Sequence, residues 1–319
     1  MQIRRIAANG FDAVQVNTGA VSVTVIPGLG GKFSSLRDLR SGREWLWRHP
    51  RLAYRRAAHG DSYVAQADTG GWDECFPTVA PCEYPAPPWA GAALQDHGEL
   101  WSQEARLEVE EGDDVTLRTR WQGVALPYTF ERLVGLAADS ARLRFEYAVT
   151  NNADAPMQFI WSAHPLLALE PGMELRLPPA ARFNRWATLP PDLLADDNGL
   201  PYPLIVRGID LTALPNAAAG VALKLWSDPL HADDGWATLR ARDGEFRMQW
   251  DARQLPQVAF WMNLGAWAGD GGAPYFNLGL EPCIGAQDSL AEAVTKWNLF
   301  ETLPARGSRT WRLEIELGA

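Results

Sequence analysis

The sequence has few features of membrane, disulfide-rich or nucleic-acid-binding proteins. No segment approaches the roughly 18–20 uninterrupted apolar residues that a membrane-spanning helix needs, and no signal peptide is recognisable. Its three cysteines form no CxxC pair, which argues against a disulfide framework or a structural zinc site. The net charge of −10 disfavours binding to nucleic acids or anionic membranes. We therefore expect a cytoplasmic protein with neither of these partners.

Helix signals are also scarce, because 28 glycines and 23 prolines are spread along the chain. The best helix candidates are short, at residues 39–45 and 290–293. Alternation of apolar and polar residues is common instead, as in residues 143–149, and two alternating runs at 107–109 and 115–121 predict a hairpin. This pattern predicts an all-β protein of antiparallel strands with few short helices. We expect residues 1–319 to form a single domain.

Tryptophan is unusually abundant, with 15 residues against 7 tyrosines and 11 phenylalanines. Tryptophan fills cores, and it is also the best flat apolar platform for a ligand. The abundance therefore favours a sugar or an aromatic ligand without requiring one.

Three ionisable residues stand in settings that suit proton transfer. His97 lies between a proline-rich stretch and a predicted strand, and His164 follows an apolar run and precedes Pro165, so we expect it at a strand terminus. Glu281 ends an apolar run before Pro282, where a carboxylate should be desolvated and suited to act as a base. At this point a hydrogen-bonded structural role explains each of the three equally well.

Four segments, in this order and spacing, resemble the aldose 1-epimerase (galactose mutarotase-like) superfamily. They are residues 70–77 (GGWDECFP), 96–101 (DHGELW), 162–165 (SAHP) and 279–282 (GLEP). The resemblance implies a large antiparallel β-supersandwich and an isomerase that interconverts the anomers of a small-molecule sugar without a cofactor or a metal. It also implies that Glu281 is the general base, that His164 is the general acid, and that His97 holds the ring oxygen or a hydroxyl.

Further residues are candidates for substrate binding. Four tryptophans offer large rings that suit the face of a pyranose: Trp72, Trp101, Trp161 and Trp261. Asp73 adds a carboxylate and Asn263 adds an amide. The family's sugar-binding aspartate has no clear counterpart, and Asp228, Asp233 and Asp234 are all options. Galactose-specific members carry an Asn-Arg pair where this chain has residues 72–74 (WDE), so the identity of the sugar, and whether it is phosphorylated or sulfonated, stays open. A monomer and a homodimer are both compatible with the sequence.

The expected reaction needs opposite protonation states in the two main groups. We expect Glu281 to be ionised and His164 to be charged near neutral pH, with a bell-shaped pH profile. Three alternatives remain open: a non-catalytic carbohydrate-binding protein of the same fold, a glycoside hydrolase or lyase in which Asp73 or Glu74 partners Glu281, and a cupin-like metal enzyme.

Overall fold

The computed structural model describes residues 1–194, 198–206, 209–214 and 219–318. Strands are numbered here in chain order. Within the described residues the larger sheet has eleven strands, in the spatial order β1 (Gln2–Ala8), β2 (Phe11–Asn17), β3 (Val21–Ile26), β4 (Lys32–Asp38), β5 (Gly71–Cys75), β13 (Trp161–Ala168), β23 (Phe276–Ile284), β22 (Gln257–Leu264), β19 (Val221–Ser227), β15 (Arg182–Leu189) and β16 (Leu200–Pro201).

A second sheet of eight strands lies against the larger one. Its order is β14 (Glu174–Arg176), β20 (Trp236–Ala241), β21 (Gly244–Trp250), β25 (Ser308–Gly318), β11 (Arg142–Asn151), β10 (Tyr128–Leu136), β9 (Val115–Gln122) and β8 (Arg106–Glu111). Three small pairs complete the described strands: β6 (Cys82–Glu83) with β7 (Ala93–Leu94), β12 (Met157–Phe159) with β24 (Glu301–Leu303), and β17 (Ile205–Val206) with β18 (Ile209–Asp210). The paired strands run antiparallel, which confirms the predicted all-β class and the hairpin of β8 and β9.

The core lies between the two sheets and follows from the alternation in the sequence. In β11 the side chains of Leu143, Phe145, Tyr147 and Val149 are buried, while the residues between them are exposed or half-buried. Across the core, Trp72 of β5 stacks on Phe145 with ring centroids 4.6 Å apart. Burying each such large apolar side chain contributes about 1.5–3 kcal/mol.

A buried ion pair also connects the sheets. Arg132 of β10 donates to Glu74 of β5 at 3.0 Å and to the carbonyl oxygen of Gly31 at 2.6 Å. Tyr147 donates its hydroxyl to the same carboxylate oxygen at 3.1 Å. Burial raises the pKa of Glu74 to about 7, although Arg132 opposes the shift. Removing one member of such a pair costs about 3–5 kcal/mol, because the other charge is left uncompensated.

The helices in the described ranges are short, and none is long and apolar enough to cross a membrane. The predicted helix near residue 290 is confirmed: α1 (Leu290–Glu292) begins after Ser289, whose hydroxyl accepts from the backbone N–H of Glu292. It continues into a π-helical turn, Ala293–Trp297, and similar short turns span Pro27–Leu29 and Tyr63–Ala67.

The predicted helix at residues 39–45 is wrong. This segment is a tight turn after β4, in which the N–H of Gly42 donates to the carbonyl of Asp38 at 2.8 Å. Gly42 has a φ of +78°, which a right-handed helix does not allow, and Glu44 then pairs back with Arg37.

The structure also corrects the expected strand ends at His164 and Glu281. Both residues lie inside strands, in β13 and β23, although each is followed by a proline. The register of these strands places Ser162 opposite Cys283 and Leu166 opposite Gly279. Counting two residues inward from either pair places His164 opposite Glu281. The two prolines therefore interrupt the backbone pairing without ending either strand.

Candidate active site

A cavity of about 390 Å³ opens on the face of the larger sheet that is turned away from the second sheet. Because side chains alternate along a strand, Trp72 points into the core and Asp73 points to this outer face. His164 pairs with Asp73 in the register and therefore shares that face. The cavity floor is formed by His164, Leu166, Lys224 and Trp261, which lie on β13, β19 and β22.

The cavity walls come from segments that are distant in sequence. They include the short helical turn Tyr63–Ala67, the loop that carries His97, the end of β15 and the loop after β22. The wall residues are Tyr63, Val64, Asp68, Val79, His97, Trp186, Ala187, Thr188, Leu189, Trp267 and Asp288. Aromatic rings and carboxylates thus surround a floor that combines two polar side chains with two apolar ones, as in many small-molecule sites.

The loop of His97 holds its ring in one place. His97 has a φ of +59°, a conformation that is rare for a residue with a side chain. The next residue, Gly98, has a φ of +68°, and a Cβ atom there would lie 2.2 Å from the carbonyl oxygen of Phe76. The ring of His97 stacks on Tyr63 with centroids 4.1 Å apart, and its Nδ1 lies 2.8 Å from Asp96 Oδ1.

The two histidines of the cavity differ in charge. For His97, burial disfavours the charged form, but the Asp96 carboxylate outweighs it and raises the pKa. For His164, burial and then the charge on His97 hold the pKa well below its usual range. Their ring centroids are 5.0 Å apart, so a proton on one ring disfavours a proton on the other, and the two pKa directions favour His97 as the protonated member. This corrects the expectation that His164 is charged.

Glu281 is fully buried, which agrees with the predicted desolvation of its carboxylate. Its side chain does not line the cavity. Its Oε2 atom accepts from Lys224 Nζ at 2.5 Å and from the Ser162 hydroxyl at 3.3 Å. Lys224 also lies 3.7 Å from Asp288 Oδ1. Glu281 Oε1 has no hydrogen-bond partner in the described part of the chain.

Sequence reasoning missed two carboxylates and the lysine of this cavity. Asp68, which is 7% exposed, accepts from the Tyr275 hydroxyl at 3.0 Å, and burial raises its pKa. Its other oxygen, Oδ1, is buried without a partner among the described residues. Asp288 accepts from the indole N–H of Trp226 at 3.0 Å, and burial raises its pKa as well. A lysine within the apolar run of residues 221–227 was the one signal in the sequence.

The three aspartates that the sequence offered as sugar-binding candidates do not line this cavity. Asp228 accepts from the Asn184 amide at 2.8 Å, and Asp228 and Asp234 line a separate cleft. Asp233 does not line the cavity either. The carboxylates that line the cavity are instead those of Asp68 and Asp288.

Several predicted binding residues do not reach the cavity. Trp72 and Trp161 are buried in the core, where Trp161 packs on Trp311 with centroids 5.0 Å apart. Trp101 packs edge-on against Tyr63 at 5.1 Å, and its indole donates to the backbone of its own loop. These residues support the walls or the core, whereas Trp261 lines the cavity.

Asp73 and Asn263 are engaged by the protein itself. Asp73 forms a buried ion pair with Lys32 and accepts from the Tyr63 hydroxyl at 2.9 Å. Asn263 donates to the carbonyl of Trp267 at 2.9 Å and accepts from two backbone N–H groups of the same loop. Both side chains therefore fix cavity walls. Because Glu74 lies on the core side, the paired-carboxylate arrangement with Glu281 is not formed by it.

Comparisons with known proteins agree with this architecture. No family model matches the sequence, and no curated protein is similar to it at a significant level. Solved structures do match. A galactose mutarotase-like protein from Clostridium acetobutylicum has 11% identity and a TM-score of 0.69, with 99% of this chain and 98% of that chain covered. A galactose mutarotase related enzyme from Lactobacillus acidophilus has 15% identity and a TM-score of 0.66, with 96% and 97% covered.

A third similar structure is a protein from Klebsiella pneumoniae that is proposed to be an aldose 1-epimerase. It has 15% identity and a TM-score of 0.70, with 98% of this chain and 81% of that chain covered. The chain therefore has the galactose mutarotase-like sandwich fold, which confirms the fold that the sequence resemblance implied.

Proposed function

We propose that this protein is an aldose 1-epimerase that interconverts the α and β anomers of a hexose or a related sugar. The observation that carries the proposal is that His97 and His164 line one cavity of about 390 Å³, while the strand register places Glu281 opposite His164. A cavity of this volume suits a monosaccharide. The fold shared with mutarotase-like proteins supports the same activity.

The proposed chemistry is ring opening followed by reclosure. Glu281 takes the proton of the C1 hydroxyl while His164 delivers a proton to the ring oxygen, so that the C1–O bond of the ring breaks. Rotation about C1–C2 turns the other aldehyde face to the C5 hydroxyl, and both proton transfers then run in reverse. Because His164 is neutral in this structure, opening begins from the minor state in which the proton of the pair has moved from His97 to His164.

The remaining cavity residues would bind the sugar. Trp261 and Trp267, whose rings meet edge-on at 5.3 Å, offer apolar surfaces to a pyranose. Asp68 Oδ1 would accept a hydrogen bond from a sugar hydroxyl, since an unpaired buried acceptor costs about 1–3 kcal/mol. The cytoplasmic location inferred from the sequence stays a prediction.

Relaxation of freshly dissolved α-anomers tests this function. The rate is followed by polarimetry or NMR for several aldoses and a hexose 6-phosphate, with wild type and His164→Ala. We expect wild type to accelerate at least one aldose and the variant to lose about 10²–10⁴-fold of that acceleration, as for loss of a general acid. His231→Ala, in the separate cleft, is the matched control and should behave as wild type. Absence of acceleration with folded wild type would contradict the proposal.

A carbohydrate-binding protein of the same fold is the second candidate, and one observation favours it. Glu281 does not line the cavity, and Lys224 occupies one of its oxygens. Glu281→Gln separates the two functions, because a binding protein should keep its affinity for sugars after this nearly isosteric change. An epimerase should lose its catalysed rate in the same variant while still binding sugar.

A further inference from the structure

Lys224 is an ammonium group inside an apolar strand. All seven residues of β19 are buried, and the neighbours of Lys224 on the strand are leucines. A charge in such a place is costly unless it is paired. Burial disfavours the charge, but Asp288 and Glu281 outweigh it and raise the pKa of Lys224. Lys224 is therefore a permanent cation, 2.5 Å from Glu281 Oε2 and 3.7 Å from Asp288 Oδ1.

The two oxygens of Glu281 are not equivalent. Lys224 and the Ser162 hydroxyl both donate to Oε2. Oε1 is buried and has no partner in the ranges that the structure describes. Two donors on one oxygen fix the orientation of the carboxylate and leave the other oxygen as the free acceptor.

Gly279 provides the space next to this free oxygen. A Cβ atom on Gly279 would lie 2.7 Å from Glu281 Oε1, 3.4 Å from Trp261 Cβ and 3.5 Å from Leu166 Cδ2. Trp261 and Leu166 both line the cavity. Gly279 does not have a positive φ, so its backbone conformation does not demand glycine. Because residue 279 has no side chain, no Cβ atom stands between Oε1 and the cavity-lining residues Trp261 and Leu166.

We propose that Lys224 is a positioning residue that keeps Glu281 a carboxylate and turns Oε1 towards Gly279 and the cavity floor, where that atom takes the proton of the substrate hydroxyl. This inference rests on the proposed epimerase function. It assigns the proton-accepting atom and gives Gly279 a role in the access of substrate to it.

Other ionisable groups also face Glu281. Cys283 lies on its own strand, Cys75 on β5, Asp288 after β23, and His164 opposite it on β13. Burial raises the pKa of both thiols, so they are neutral. Asp288 and Lys224 therefore place opposite charges near the Glu281 carboxyl group.

Lys224→Met tests the positioning role by two measurements. Carbon-13 NMR of labelled glutamate carboxyl groups should show Glu281 taking up its proton about 1–3 pH units higher than in wild type, because a paired cation is lost. The acidic limb of kcat/KM should move in the same direction. Arg132→Met, which removes a buried cation from the core face, is the matched control: it should lower stability and leave both readouts in place. An unchanged Glu281 titration in folded Lys224→Met would overturn the proposal.

Two further variants keep the test decisive. If Lys224→Met does not fold, Asp288→Asn should move the Glu281 titration to lower pH, and no movement would contradict the role of these charges. Gly279→Ala should fold, because the 2.7 Å contact of the new Cβ atom is with a side-chain oxygen and not with the backbone. We expect kcat to fall by about 10²-fold as the carboxylate is displaced. Wild-type activity in this variant would refute the route to Oε1.

The two proposals fail in different ways. If wild type accelerates no sugar, the proposed function is wrong, while the NMR titration still decides the role of Lys224. If wild type is active and the titration of Lys224→Met is unchanged, the function stands and the positioning role is wrong.

Discussion

His97 and His164 are the same residue type with ring centroids 5.0 Å apart, yet their pKa values shift in opposite directions. Asp96 contacts His97 and stabilises its imidazolium, whereas His164 Nδ1 is buried with no partner among the described residues. Because a proton on one ring disfavours a proton on the other, the position of Asp96 decides which histidine is charged.

Asp96→Asn should therefore shift the titration of His97 to lower pH. Asp96 raises the pKa of His97 above its usual 6.5, so the protonated form persists further into the alkaline range in wild type. Without that carboxylate we expect a decrease of about 1–3 units, measured by NMR of the imidazole ring. The alkaline limb of kcat/KM should move to lower pH by a similar amount.

Asp228→Asn is the control for this titration, because Asp228 binds Asn184 outside the cavity. It should leave the His97 titration in place. An unchanged midpoint of the His97 titration in Asp96→Asn would show that Asp96 does not decide which of the two histidines is protonated.

The sequence indicated only part of this residue-scale arrangement. His97, His164 and Glu281 stand in recognisable segments, whereas Lys224 and Asp68 do not. Their roles depend on which strands become neighbours: Lys224 reaches Glu281 from β19, across β22. No local pattern encodes a contact between residues that far apart in the chain.

At the scale of elements, two adjacent strands each carry a proline after a candidate catalytic residue. Local reasoning predicted strand ends at both positions, because proline cannot donate to a ladder. In the structure β13 and β23 continue past Pro165 and Pro282, and Pro282 still pairs with Val258 of β22 in register. A proline ends a strand only where its missing N–H was needed, and that depends on the partner strand.

The loop after β22 is a second element whose order matters to the cavity. Asn263→Ala should raise KM or the dissociation constant for sugar, because three hydrogen bonds that fix the loop of Trp267 are lost. We expect the free energy of unfolding to fall by about 1–3 kcal/mol. Trp267→Ala should weaken sugar binding with a smaller loss of stability, since this side chain is only half-buried.

Calorimetry and equilibrium sugar titration measure these two effects. Asn184→Ala, outside the cavity, is the matched amide control. If Asn263→Ala binds sugar as wild type does while Trp267→Ala does not, the loop does not need Asn263 for its position.

At the scale of the whole molecule, the alternating pattern and the segment resemblance were sufficient to predict the sandwich. They were not sufficient for the strand order. The centre of the larger sheet joins β5, β13 and β23, which begin at residues 71, 161 and 276. Such pairings depend on packing across the entire core, and the period of a single strand carries no information on them.

We propose that residues 1–319 unfold as one domain, because a single buried cluster contains side chains from both sheets. In urea, near-UV and far-UV circular dichroism should then give coincident transitions, and the calorimetric enthalpy should equal the van't Hoff enthalpy. The 15 tryptophans make the near-UV signal a sensitive probe of the core. Two separated transitions would contradict a single domain.

The division of the cavity into a floor and walls has an evolutionary consequence. The floor residues lie on strands whose spacing is fixed by backbone hydrogen bonds, about 4.8 Å from strand to strand. Part of the walls comes from segments outside the strands, around Tyr63 and Trp267, and such connecting segments generally tolerate changes in length and composition. Under the proposed function, the sheet would hold the proton-transfer groups His164 and Glu281, whereas changes in the walls would alter substrate preference without disturbing the sheet.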